Sequence, residues 1–322
     1  MWRRWFGTGL LVTCILSVGC DSPESDSVDP LSTTQETPRV GLVMKALTNE
    51  FFSTMEKGAQ KHQAENPKQY ELIANGIKNE TDVSRQVAIV DEMVASGIDA
   101  IVIAPADSKA LITALKRAQE SGVVVVNIDN RLDTEILLAE GLTIPFVGPD
   151  NKAGAKKVGR YLAETLERGD QVILLEGVRT AANGIARRQG FEEAMEESGI
   201  KIVASQSGQW EMNNANKITA TLITEHPEIR GVLASNDSMA MGAVAAIKAA
   251  GRVDDIKVVG FDNISAIQTA IKEGTVLATA DQYGNQLAVY GIEYALEMLG
   301  DQNAELADKE TPVDLVTLES LR

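Results

Sequence analysis

The chain has 322 residues, 44% of them hydrophobic, and a formal charge of −16 from 30 basic and 46 acidic side chains. That length and apolar content can bury two cores of ordinary domain size, which excludes one small domain. The acidic balance repels a phosphate backbone or an anionic membrane surface, and no basic patch relieves it, so nucleic acid is set aside as a partner.

The first element is an export segment. "MWRRWFGTGLLVTCILSVGC" places Arg3 and Arg4 ahead of an apolar run and small residues ending at Cys20, the layout of a signal peptide and too short for a spanning helix. "LSVGC" resembles a bacterial lipobox, although Ser17 stands three before the cysteine and Leu16 one further back. The expectation is a signal peptide at residues 1–19 and lipidation at Cys20; ordinary cleavage near that point is the alternative. Residues 20–38 are rich in Ser, Thr, Pro and acids and lack the apolar content to fold, so they read as a disordered tether. Cys14 and Cys20 are the two cysteines, and cleavage removes the first. That excludes a disulfide within the mature chain and a zinc site built from cysteines.

From residue 39 the pattern is regular. "RVGLVMKAL", "YELIANG", "AIVIAP" and "VVVVNID" read as strands, alternating with helices over residues 50–65, 82–96 and 108–121. After Gly141 the rhythm resumes with "IPFVG", "QVILLEG", "IKIVAS", "GVLASND", "KVVGFDN" and "VLATADQ". Strands flanked by helices on both sides imply parallel sheets, and two α/β units in tandem account for the whole run. The second helix shows the expected signals: Asp82 as cap, Val83, Val87, Val90 and Val94 as an apolar stripe turned to the sheet, and Gly97 as a stop. No Pro/Gly-rich linker separates the halves, which predicts several short crossings between them.

Catalytic patterns are missing at the strand ends. There is no G-x-S-x-G elbow, no phosphate loop of the G-x-x-x-x-G-K-[ST] type and no G-x-G-x-x-G fingerprint. His62 and His226 lie on a polar helical face and at a helix end, without a second ligand at useful spacing, and are expected to be solvated. What the strand ends do carry is Asn49 with Phe51 and Phe52, then Asp129 and Asn130, Asn236, Asp262 and Gln282. Planar amides and carboxylates pair with vicinal hydroxyls, and aromatic rings pack on the apolar faces of a sugar. Trp210, bracketed by polar residues in "SQSGQWEMNN", reads as a further platform. For Asn236, Asp129 and Asp262 the plainer reading is a cap on the following helix.

"ALTNEFF", "NIDNR", "ARRQGF", "ASNDSMAMGA", "VVGFD" and "ATADQ", in this order between about Arg39 and Leu315, resemble the periplasmic ribose- and allose-binding proteins of bacterial ABC importers. The resemblance implies an α/β chain of the type I periplasmic binding protein class, with two doubly wound parallel-sheet lobes joined by a three-crossing hinge. It divides the chain into an N-terminal lobe of residues 39–147 plus 283–311 and a C-terminal lobe of residues 148–282 plus 312–322. It adds Arg187 and Lys45 to Asn49, Phe51, Phe52, Asp129, Asn130, Trp210, Asn236, Asp262 and Gln282 as ligand contacts, with Gln282 at a crossing. Asn130 stands where ribose binders have an arginine, with Arg131 next, and Lys45 is similar to a lysine of allose-type binders; both point toward a hexose or related polyol.

The implied function is capture of a monosaccharide by lobe closure and its delivery to an ABC permease, by a monomer without cofactor, metal or catalysis. Its place is the periplasm or cell envelope, held to the membrane only through the lipid on Cys20. A sensory subunit reporting to a chemoreceptor or sensor kinase is the main alternative. The repressor version of the fold lacks room here for a DNA-binding helix pair, and an enzyme acting on sugars would have to use Asp129 with Asp262.

Overall fold

The computed structural model describes residues 37–301 and 306–322. The expected signal peptide, Cys20 and nearly all of the tether lie outside the described residues. In the first half β1 (Arg39–Ala46), α1 (Glu50–Glu65), β2 (Glu71–Ile77), α2 (Val83–Ala95), β3 (Ala100–Ile103), α3 (Ile112–Glu120), β4 (Val124–Ile128), α4 (Thr134–Ala139) and β5 (Phe146–Pro149) alternate. The second half repeats the order with α5 (Asn151–Ala163), β6 (Gln171–Glu176), α6 (Ala182–Ser198), β7 (Lys201–Ser207), α7 (Met212–Glu225), β8 (Ile229–Ala234), α8 (Asp237–Ala249), β9 (Lys257–Val259), α9 (Ser265–Lys272) and β10 (Ala278–Asp281). The chain then runs through α10 (Gly284–Gly300) to two short strands, β11 (Lys309–Thr311) and β12 (Asp314–Thr317).

Two six-stranded sheets result, ordered β11-β5-β4-β3-β1-β2 and β12-β10-β9-β8-β6-β7. Pairing is parallel throughout the first sheet, and in the second only β12 runs antiparallel, against β10. Central strands are buried on both faces, as in β1, where Val40, Leu42, Val43 and Met44 are fully buried, and that explains their near-continuous apolar sequence. The edges β2 and β7 are half-exposed and correspondingly mixed in composition. In both sheets the order reverses beside the first strand of the half, between β1 and β3 and between β6 and β8. Such switch points open a crevice at the carboxyl ends of the strands.

The chain passes between the sheets three times: from β5 to α5, which packs on β9, β10 and α6; from β10 to α10, which packs on β3, β4 and α1; and from β11 to β12. The two-lobed, three-crossing plan read from the sequence is therefore present. Asp82 caps α2 through the Arg85 N–H, and Gly97 follows it with a φ of 76°. The apolar stripe differs from expectation. Val83, Val87 and Val94 are half-buried, whereas Ile89, Val90, Met93 and the polar Gln86 are buried. Gln86 is used as a clasp: Nε2 donates to the carbonyls of Met44 and Ala104 at 3.2 and 2.9 Å, and Oε1 accepts from the Ala106 N–H at 2.8 Å. It ties the ends of β1 and β3 together beside the crevice. Among the described residues no helix is long and apolar enough to cross a membrane.

Candidate functional site

The carboxyl ends of both sheets face one cavity with an empty volume of about 240 Å³. Asn49 begins the site by capping α1: Oδ1 accepts from the Phe51 N–H at 3.1 Å, which starts the helix where β1 ends. Phe51 and Phe52 follow in its first turn and both line the cavity, edge to face with ring centroids 5.1 Å apart. Phe51 also rests on Gly284 at the start of α10, where a Cβ would stand 2.6 Å from the ring. From the opposite lobe comes Trp210, 5% exposed, its indole laid against Gly177.

Two buried ion pairs line the cavity. Lys45 Nζ lies 2.8 Å from Asp129 Oδ2, both about 2% exposed, and Lys45 also sits 5.5 Å from the centre of the Phe52 ring. Arg187 stacks 3.7 Å over Phe261, donates from Nε to Asn151 Oδ1 at 2.8 Å and from Nη1 to the Ser235 carbonyl at 2.9 Å, and meets Asp262 Oδ1 at 3.4 Å. Gln282 donates to the same Asp262 oxygen at 2.7 Å. Burial pushes the Asp262 carboxyl above its ordinary range, with Arg187 opposing and Asp129 reinforcing. The buried Asp237, which accepts from the Thr279 hydroxyl and the Ile264 N–H, is also pushed up, by burial and then by Asp262. Burial likewise pulls the Arg187 guanidinium down, against the attraction of Asp262, Asp129 and Asp237. The two buried ion pairs cancel, and burial pushes the remaining Glu80 carboxyl up toward its neutral form, so the cavity suits a neutral ligand and is costly for a charged one.

Four buried polar atoms among the cavity's side chains have no partner: Glu80 Oε2, Asn183 Oδ1, Trp210 Nε1 and Gln282 Oε1. Unpaired buried groups are rare in native proteins and cost free energy until something meets them. Three acceptors and one donor on side chains that share a lining with Phe51, Phe52 and Trp210 match a ring whose hydroxyls both donate and accept. The backbone is strained in the same place. Among the described residues the non-glycine positions of positive φ are Asp129, Gln209, Trp210, Asp262, Asn263 and Tyr283, each either lining the cavity or adjacent in sequence to a residue that does. Strain of this kind persists only where the surroundings over-determine it, and it gathers at binding sites.

Of the residues expected from sequence, Lys45, Asn49, Phe51, Phe52, Asp129, Arg187, Trp210, Asn236, Asp262 and Gln282 line this cavity. Asn130 does not. Its amide is spent on the Pro105 carbonyl at 2.9 Å and on the Asn183 N–H, which it accepts across the crevice at 3.1 Å. Arg131 also points elsewhere, lying over Phe146 and paired with Asp308. The cap reading holds for Asn236, whose Oδ1 accepts from the Met239 N–H while Nδ2 donates to the Trp210 carbonyl; Asp129 and Asp262 cap no helix. His62 is half-buried and not simply solvated, with Nδ1 2.9 Å from the Tyr70 hydroxyl. Glu80 and Asn183 line the cavity and were not anticipated. Glu80 stands in the turn after β2 and Asn183 in the first turn of α6, beyond the strand ends that located Asn49 and Asp129. Among the described residues no cluster of three His, Cys, Asp or Glu side chains could hold a metal ion.

A family model described as a periplasmic binding protein domain matches residues 40–303. A D-ribose/D-allose-binding protein of Pseudomonas aeruginosa is 53% identical over 287 residues, which cover 88% of this chain and 90% of that protein. The D-allose-binding periplasmic protein of Escherichia coli is 29% identical over 276 residues, 85% of this chain and 86% of that one. Among solved structures, an ABC transporter periplasmic solute-binding protein from Actinobacillus succinogenes with bound D-allose superposes with a TM-score of 0.83 at 34% identity, covering 88% of this chain and 99% of its own. A solute-binding protein from Burkholderia multivorans gives a TM-score of 0.86 at 51% identity, covering 87% and 99%. The resemblance read from the six sequence strings is borne out.

Proposed function

The chain belongs to the periplasmic binding protein family, and on that premise we propose that it captures one neutral aldose, allose-like or ribose-like, between its lobes and delivers it to an ABC permease. It is a binding protein and not an enzyme. The observation that carries the sugar class is the cavity with two ion pairs, aromatic walls and four unpartnered polar atoms. Lys45, Asn49, Phe51, Phe52 and Asp129 are the contacts from one lobe, Arg187, Trp210, Asn236 and Asp262 those from the other, and Gln282 lies at a crossing. Asn130 serves closure instead of contact. With Lys45 occupying the Asp129 end and Arg131 turned away, the hexose allose is favoured over ribose.

The moving bodies in this reading are residues 39–147 with 283–311 and residues 148–282 with 312–322. Each supplies part of the hydrogen-bonding shell, so ligand shifts the hinge equilibrium toward closure by its differential affinity for the closed state. The export segment and the lipobox-like "LSVGC" support a periplasmic protein tethered through lipid on Cys20, which acts as a monomer in this reading. Thermal unfolding against D-allose, D-ribose, other aldoses and polyols tests the assignment, because a ligand confined to the native state raises the midpoint with its occupancy. A rise with D-allose above that with D-ribose is expected; no rise with any sugar would overturn it.

A further inference from the structure

Glu80 sits in the turn between β2 and α2, 2% exposed, and faces the cavity. Its Oε1 accepts from Asn49 Nδ2 at 3.0 Å, and its Oε2 has no partner. Lys45 at the end of β1 is the cation that acts on this carboxyl, yet its ammonium is paired with Asp129 at 2.8 Å. From the opposite lobe Glu211 adds a like charge, its Oε1 3.4 Å from the Glu80 backbone nitrogen. A buried carboxyl oxygen repelled by Asp129 and Glu211, with the local cation already engaged, lacks a donor, and a group left so costs free energy that a ligand can recover.

We propose that Glu80 is a sugar contact that determines specificity, its Oε2 accepting a hydroxyl of the ring at the β1–β2 end of the cavity. The proposal rests on the sugar-binding reading and deepens it. An aldose with a hydroxyl directed there pairs the orphaned oxygen. One lacking that hydroxyl, or presenting it on the other face of its ring, leaves the carboxyl desolvated and unpaired. Sites that hydrogen-bond a particular hydroxyl reject analogues without it more sharply than apolar pockets reject a missing methylene. Burial is the dominant influence on this carboxyl and pushes it up to about 7, against the pull of Lys45 and Asn49, as expected where donors fall short.

The test is calorimetric titration of the purified protein and its Glu80→Leu and Glu80→Gln variants with D-allose, D-ribose and the monodeoxy analogues of D-allose. Glu80→Leu should bind D-allose roughly 10- to 100-fold more weakly than wild type, the worth of a hydrogen bond to a charged group. Its penalty should vanish for the one monodeoxy analogue that lacks the partner hydroxyl. A purely structural role, acting through Asn49, predicts the same penalty for every analogue and would overturn the assignment, as would Glu80→Leu binding within twofold of wild type. Should Glu80→Leu fail to fold, Glu80→Gln carries the same comparison, with a smaller penalty confined to the same analogue. If wild type binds neither D-allose nor D-ribose, the sugar reading itself falls; if wild type binds and the variants match it, only the role of Glu80 does.

Discussion

Trp210 holds a φ of 65°, and its indole lies so close to Gly177 that a methyl group there would come within 2.1 Å of the ring. Gly177→Ala should therefore displace the indole and weaken sugar binding about tenfold, at a stability cost of about 1–3 kcal/mol from overpacking; titration calorimetry and urea unfolding measure the two effects. Glu80 makes a second prediction. Its folded carboxyl titrates at about 7 against an ordinary 4.5, so the stability it contributes is complete below about 4.5 and is lost as pH rises through 7. Replacing it by Gln should raise the stability of the ligand-free protein relative to wild type between pH 4.5 and 8, by on the order of 3 kcal/mol; urea midpoints at the two pH values check this. Asp129 and Asn236 were legible because each follows a conspicuous apolar run. Glu80 and Asn183 were not, because "KNETD" and "TAANG" are the composition of any solvated turn, and burial among partners from the other lobe leaves no mark on it.

At the scale of elements, periodicity located the first ten strands and the first three helices to within a few residues. It misjudged the rotation of α2, since valine counts alike whether half-buried or buried, and Gln86 is polar and still fully enclosed. That residue is predicted to matter. Gln86→Leu strands two carbonyls and one N–H at the ends of β1 and β3, and should cost roughly 3 kcal/mol in urea unfolding, since each buried unpaired group costs about 1–3 kcal/mol. The strands β11 and β12 went unread altogether. At three and four residues, "KET" and "DLVT", they have no apolar run of their own and are strands only because β5 and β10 offer them edges.

Across the whole molecule, the lobes meet through a few polar contacts at the crevice rim. The Ala182 N–H donates to Ser108 Oγ at 2.9 Å, the Asn183 N–H to Asn130 Oδ1 at 3.1 Å, and the Ser265 N–H to Glu50 Oε1 at 2.8 Å. Such contacts exist only when the lobes are together, so they set the closing equilibrium without touching the ligand. Ser108→Ala should thus weaken sugar binding by roughly 2- to 10-fold, the worth of one neutral hydrogen bond, while leaving the ranking of sugars unchanged; calorimetry against two sugars checks both. The two-unit plan was legible from repeated alternation, whereas these contacts, joining residues 53 to 215 apart in sequence, could not be.

The number of crossings has a practical consequence. Three is odd, so the polypeptide that enters beside β1 in one lobe leaves past β12 in the other. Dyes coupled near Thr37 and Arg322 would therefore ride on opposite jaws, and their energy transfer would report sugar concentration directly, with no label placed in the cavity.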